Sequence, residues 1–126
     1  MAFHYSPKIA TDGLVFYVDF ANSKSYGGSG TTVADLAGNV GDGAVNGATF
    51  SSDKNGVFSF DGSNDQIAFP NSTALDNQNI TVLVWAKTDS VSQNGFWFEK
   101  GTVNTQYSLF QEGNNIVWRT HTDSSY

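Results

Sequence analysis

Residues 95–119 read GFWFEKGTVNTQYSLFQEGNNIVWR, and this stretch decides the fold class. It holds three short runs, 95–100, 107–111 and 115–119, that are rich in the aromatic and β-branched residues favoured in strands. A glycine-containing turn at 112–114 joins the last two runs. A spacing of about 8 to 12 residues between such runs is typical of a β-sandwich or barrel. The sequence therefore predicts an all-β fold.

Two longer apolar stretches predict further strands. Residues 14–20, LVFYVDF, place apolar side chains at alternate positions, which predicts a first strand buried on one face. Residues 80–87, ITVLVWAK, are apolar on both faces, which predicts a central strand covered on each side. Residues 21–47 contain many glycines and only short apolar pieces, so we expect a long surface loop there.

A hairpin and an edge strand are expected between these stretches. Residues 48–52 and 57–61 flank an Asn-Gly pair at 55–56, which tolerates the positive φ angles of a tight turn. Residues 65–69 then form a short run that ends at a proline. Because proline cannot donate a ladder hydrogen bond, this run is predicted to be an edge strand.

Composition limits the domain organisation and the classes of partner. The chain has 126 residues, enough for one domain, which we place at 12–119 between an N-terminal arm (1–11) and a C-terminal tail (120–126). Its net charge of -6 disfavours binding to nucleic acid or to an anionic membrane. There is no cysteine, no apolar signal-peptide core and no long apolar run, so we expect neither secretion by a signal peptide nor a membrane span.

Four pieces of the sequence resemble one known family. They are DGLVFYVDFANSKSY at 12–26 followed by GSGTT at 28–32, DLAGN at 35–39, FSFDGSND at 58–65 and ITVLVWAK at 80–87. In this order they resemble the laminin G/concanavalin A-like jelly-roll domains of tailed-phage structural proteins. The resemblance implies an antiparallel, jelly-roll-like β-sandwich.

The resemblance also implies that the sandwich is incomplete. Such domains continue with a further set of strands, and nothing in this sequence resembles that closing half. Three explanations stay open: the chain is truncated, a neighbouring protomer supplies the strands, or the sheets close in an abbreviated way. The last would leave exposed strand edges, which invite pairing with another chain.

Calcium is the one cofactor with a physical argument, because carboxylate, amide and carbonyl oxygens suit a cation with six to eight ligands. The candidate ligands are Asp35, Asn39, Asp61 and Asp65. The resemblance agrees, since jelly rolls of this type often carry calcium near such loops. The alternative is that these residues stabilise turns by bonding their own backbone.

Three tryptophans are candidates for stacking on a sugar ring: Trp85, Trp97 and Trp118. Aromatic residues on strands more often belong to the core. Trp97 lies between two phenylalanines and is expected to face away from both, which makes it the best candidate for an exposed glycan-binding platform.

Catalytic residues are scarce. The only glutamates, Glu99 and Glu112, lie in different predicted strands and lack the paired arrangement of a glycosidase. The histidines, His4 and His121, lie near the two ends of the chain, in segments without a strand pattern. We therefore expect no enzyme.

The leading hypothesis is a non-enzymatic structural module of a tailed-phage virion, in a fibre, neck or capsid-decoration position. It would be assembled in the host cytoplasm and would contact other virion proteins or copies of itself. The alternative is a lectin-like module that binds host-surface glycans, with no role for nucleic acid or membrane in either case.

Overall fold

The structure is a computed structural model that describes residues 10–76, 79–90, 94–101 and 107–120. These residues form eight β-strands and two single-turn 3₁₀ helices, without an α-helix. Every strand pair is antiparallel. This confirms the predicted all-β, antiparallel fold class, and it is consistent with a small β-sandwich-like fold. Within the described residues, no helix has the length and apolar character that crossing a membrane requires.

The chain divides into two compact units, Met1–Ala74 and Leu75–Tyr126. The described residues of the first unit form five strands: β1 (Thr32–Val33), β2 (Gly43–Asn46), β3 (Thr49–Ser51), β4 (Val57–Ser59) and β5 (Gln66–Ala68). They form a three-stranded sheet in the order β1-β2-β5 and a separate β3-β4 hairpin. The predicted edge strand is confirmed as β5, which lies at one edge of the first sheet. The limits set for arm, sandwich and tail stay predictions.

The hairpin expected around the Asn-Gly pair is confirmed. Phe50 on β3 lies opposite Phe58 on β4, and a 3₁₀ turn at Asp53–Asn55 joins the strands. The turn ends at Gly56, which has a φ of 130°. A Cβ atom there would lie 2.4 Å from the carbonyl oxygen of Phe20, so the position requires glycine.

The glycine-rich stretch at 21–47 was expected to be a surface loop, and that expectation is wrong. It contains β1 and β2, and it supplies five buried side chains: Ser25, Tyr26, Val33, Asp35 and Val40. The frequent glycines predict turns correctly, but the short apolar pieces between them form strands and buried positions that the glycine content did not predict.

Aromatic rings build the core of the first unit. Tyr26 packs against Phe50 and Phe58, with ring centroids 4.8 and 4.9 Å away. Phe20 packs edge-on against Phe58 at 4.9 Å. Edge-to-face contacts of this kind add to the free energy gained by burying apolar surface.

Residues 14–20 contribute to this unit without forming the predicted strand. The segment is half-buried, but it belongs to none of the described sheets. Its backbone is held by loop residues, as described below, and Phe16 packs edge-on against Phe69 at 4.8 Å. The alternation predicted a strand buried on one face, whereas every residue of the segment is half-buried and none pairs with a described strand.

In the second unit, the part of the chain that the structure describes forms one sheet. Its strands are β6 (Gly95–Lys100), β7 (Tyr107–Glu112) and β8 (Asn115–Thr120), paired in that order. These match the three runs that decided the fold class. Tyr107 and Phe110 are buried, and the Lys100 Nζ atom forms a 3.0 Å ion pair with an Asp76 carboxylate oxygen.

Residues 80–87 do not form the predicted central strand. Residues 80–88 belong to no described helix, strand or turn. Leu83 is 81% exposed and Trp85 is 94% exposed, so the expectation of a strand covered on both faces is wrong. The apolar sequence predicted that other residues would cover both faces of this segment, but no described residues cover the face that carries Leu83 and Trp85.

Candidate functional site

Asp35 organises the loops of the first unit. Its Oδ1 atom accepts hydrogen bonds from the backbone N–H groups of Tyr17 and Ala37, each at 3.0 Å. Its Oδ2 atom accepts from Asn39 at 3.1 Å and Val40 at 3.0 Å. One buried carboxylate thus joins the 14–20 segment to the loop after β1.

These hydrogen bonds determine the charge state of Asp35. Burial by itself raises the pKa of the Asp35 carboxyl, but the four backbone N–H donors outweigh burial and hold that pKa below its ordinary value. An ionised carboxylate offers about four lone-pair positions, and four donors occupy them here. A cation bound by Asp35 would therefore compete with the bonds that hold the loop.

Asn39 extends the same network through its side-chain amide. The Nδ2 atom donates to the carbonyl oxygens of Leu14, Val15 and Ala37, at 3.4, 3.2 and 3.2 Å. Two carbonyl groups of the 14–20 segment are thereby bound by a loop side chain in place of a neighbouring strand.

The other two predicted calcium ligands form a separate local pair. The Asp65 Oδ2 atom accepts from the backbone N–H of Asp61 at 2.9 Å, and Asp61 Oδ1 accepts from Ser63 at 2.8 Å. The structure thus brings Asp35 near Asn39, and Asp61 near Asp65. In the ranges that the structure covers, no group of three or more His, Asp or Glu side chains could hold a metal ion. Calcium binding by these residues stays a prediction.

Trp97 lies at a β-bulge, which changes the expected orientation of its neighbours. Phe96 is opposite Phe110 and Phe98 is opposite Leu109, so the register shifts by one residue at Trp97. The bulge directs Phe96 and Phe98 to opposite faces of the sheet. Trp97 is half-buried while Phe96 is 58% exposed, so the expectation that Trp97 is the exposed residue is wrong. Glycan binding by Trp97 stays a prediction.

An aromatic stack crosses the sheet of the second unit. The Tyr107 ring lies 5.7 Å from both the Phe98 and Trp118 rings, with interplanar angles of 22° and 18°. The Tyr107 hydroxyl donates to the Leu75 carbonyl at 2.9 Å, and burial, followed by the charge of Asp76, raises the Tyr107 pKa. Trp118 is 44% exposed.

The sequence predicts Trp97, in preference to Trp118, as the exposed ring. The signal that could have reversed this choice is the alternation in β8, where Ile116 and Trp118 share a face. Both side chains are exposed, at 55% and 44%.

Among the described residues, the most exposed large apolar side chains, Leu83 and Trp85, lie in the 80–86 segment, ITVLVWA. Over residues 80–85 its exposure alternates: Ile80, Val82 and Val84 are half-buried, whereas Leu83 and Trp85 lie in solvent, as does Ala86 at the end of the segment. Its residues make no hydrogen bond and no ring contact within the part of the chain that the structure describes. The segment therefore keeps the two-residue period of a half-buried strand without a strand partner.

Comparison with known proteins gives a likeness in fold. The chain is similar to a solved structure of an S-layer domain-containing protein (residues 221–444) from Clostridium thermocellum, with a TM-score of 0.66 and 20% identity. The similarity covers 88% of this chain and 52% of that chain, so this chain spans about half the length of the solved fragment. No family model and no curated protein matches the sequence.

Proposed function

We propose that this protein is a non-enzymatic structural module that works by contact with other protein chains in the virion of a tailed phage. The observation that carries the proposal is the 80–86 segment, which exposes Leu83 and Trp85 on its solvent face. The sequence resemblance to tailed-phage jelly-roll domains supplies the setting.

Exposure of these two side chains has a physical cost. The free energy falls when large apolar side chains leave water, and neighbouring exposed apolar side chains commonly mark an interaction site. A half-buried segment with unpaired backbone groups can bury these side chains and form backbone hydrogen bonds at the same time, by adding to a strand of another chain. A contact surface therefore explains the segment better than a solvent-facing role does.

The position of the glutamates supports a non-enzymatic role. Glu99 lies opposite Ser108, while Glu112 lies four residues further along β7. At about 3.3 Å per residue the two are separated by about 13 Å along the strand. Paired glycosidase carboxylates lie roughly 5 to 10 Å apart. The two histidines, His4 and His121, lie outside the described residues.

The proposal is tested by locating the protein in purified virions of the phage that encodes it. Quantitative mass spectrometry of gradient-purified particles should find the chain in a fixed copy number relative to the major capsid protein. A non-structural protein from the same lysate serves as the control for contamination. Absence from particles, with abundant protein free in the lysate, would refute the proposal.

A glycan-binding module is the second candidate, and the stack of Phe98, Tyr107 and Trp118 favours it. A partly exposed indole backed by a buried ring is a rigid platform for the apolar face of a sugar. A glycan array with and without calcium tests this function. Binding that Trp118→Ala abolishes and Trp97→Ala retains would support it, and an array without signal would reject it.

A further inference from the structure

We infer that the 80–86 segment pairs with the same segment of a second copy of this chain, as an antiparallel two-stranded ladder. The inference rests on the proposed function and names the partner of that surface. The burial pattern of the segment supports this pairing, because the segment has one half-buried face and one solvent face, as an edge strand has. Its backbone groups make no hydrogen bond with described residues, so a neighbouring chain can bind them.

The side chains select one register. In an antiparallel ladder, residues directly opposite each other lie on the same face, so a twofold axis at Val84 sets Leu83 opposite Trp85 of the second copy. The same axis sets Trp85 opposite the second copy's Leu83. The two symmetry-related Leu83–Trp85 pairs cover the most exposed apolar side chains of both copies. Val82 then lies opposite Ala86 on the other face.

The charges are compatible with this register. Although each chain carries a net charge of -6, residues 79–86 contain no charged side chain. The nearest charges, Lys87 and Asp89, fall opposite Thr81 and Asn79 of the second copy. No like charges face each other across the ladder, which would destabilise it. Self-pairing here therefore adds no local like-charge contact to the repulsion between two chains of net charge -6.

The expected contact area indicates a weak dimer. Two buried tryptophans contribute about 300–500 Å² together. With two leucines and two strand backbones, the total approaches the lower limit of about 1,200 Å² for a specific interface. The dimer should therefore form reversibly and depend on protein concentration.

Sedimentation velocity of the whole chain, from about 1 μM to about 500 μM, tests the inference. We expect a shift from monomer to dimer, and Leu83→Lys should weaken the association by about tenfold or more, because it introduces a charge opposite Trp85. Ile116→Lys on β8 is the matched control, since Ile116 is also an exposed apolar residue. Far-ultraviolet circular dichroism checks that both variants fold.

A cross-linking experiment tests the register directly. The chain has no cysteine, so Val84→Cys introduces its only thiol. With the twofold axis at Val84, the two thiols lie opposite each other and should form a disulfide-linked dimer under mild oxidation. Ile116→Cys should remain monomeric under the same conditions.

Three outcomes would overturn the inference. A monomer at every concentration rejects self-pairing and leaves another protein as the occupant of the segment. A dimer that Ile116→Lys disrupts and Leu83→Lys does not would place the contact elsewhere. Equal cross-linking of the two cysteine variants would reject the register. Virion incorporation is measured separately, so the proposed function can hold when self-pairing fails.

Discussion

Two segments with strand-like sequences, 14–20 and 80–86, have different environments in this protein. Neither belongs to a described sheet. The first is half-buried throughout, and its backbone is bound by Asp35 and Asn39. The second makes no hydrogen bond with described residues and exposes Trp85 almost completely. The difference shows that polar loop side chains can bind the backbone groups of a strand-like segment in place of a neighbouring strand.

Removal of the Asp35 carboxylate should break the comparison most strongly. Asp35→Ala leaves four backbone N–H groups without their acceptor; the bond from Val40 is buried, and the other three are part-buried. A buried, unsatisfied donor costs about 1–3 kcal/mol, and a donor that water can reach costs less. We therefore expect a loss of about 3 kcal/mol in the free energy of unfolding of the first unit. Hydrogen exchange at the Tyr17 and Val40 amides measures it.

The exposed Asp42 provides the matched control for this variant. Asp42→Ala should change the same exchange rates by less than the equivalent of about 0.5 kcal/mol. Equal effects of Asp35→Ala and Asp42→Ala would contradict the role assigned to the Asp35 carboxylate.

Acidification should remove part of the same stabilisation. Because the folded pKa of Asp35 lies below its ordinary value, its contribution is present above about pH 4, the usual aspartate pKa, and is lost as the pH falls through the folded pKa. The stability difference between the natural chain and Asp35→Asn should therefore shrink in acid. Urea unfolding between pH 7 and pH 2.5 measures the difference, and a constant value would contradict the assignment.

Truncation of an anchored ring in the 14–20 segment should have an intermediate effect. Phe16→Ala removes the edge contact with Phe69. Since Phe16 is half-buried, we expect a loss of about 2 kcal/mol, below the 3–5 kcal/mol typical of fully buried aromatic residues. Urea denaturation measures it, with the exposed Phe60→Ala as the control. A loss no greater than that of Phe60→Ala would show that the segment is not anchored.

Truncation in the 80–86 segment should have the smallest effect. Trp85→Ala removes a ring that is 94% exposed, so the monomer should lose less than about 0.5 kcal/mol. Urea unfolding at a concentration below dimer formation measures this value. A loss as large as that of Phe16→Ala would mean that the ring is covered within the monomer.

The sequence predicted the elements whose signals are local. The Asn55-Gly56 hairpin and the three strands β6, β7 and β8 follow from turn chemistry and short-range alternation. Those signals act between neighbours in the chain, so one sequence is sufficient to read them.

The candidate sites were less predictable because they depend on distant residues. Three donors to Asp35, Ala37, Asn39 and Val40, lie in or directly after the DLAGN motif, as the turn-stabilising alternative to calcium predicts. The fourth donor, Tyr17, lies 18 residues away, and this contact is not visible in the motif. The orientation of Trp97 depends on the β-bulge between Phe96 and Phe98, and no residue type in this stretch predicts a bulge there. The exposure of Trp85 depends on which surfaces are present to cover it.

The bulge in β6 has a consequence for insertions and deletions. Gly95 and Phe96 pair with Gln111 and Phe110, and the pairing continues with Phe98 opposite Leu109, so the ladder passes over Trp97. A chain that lacked this residue would keep every other pair of β6 and β7 in register. Trp97 is therefore the position in this strand where a length change is most easily tolerated, and aligned relatives should differ in length there first.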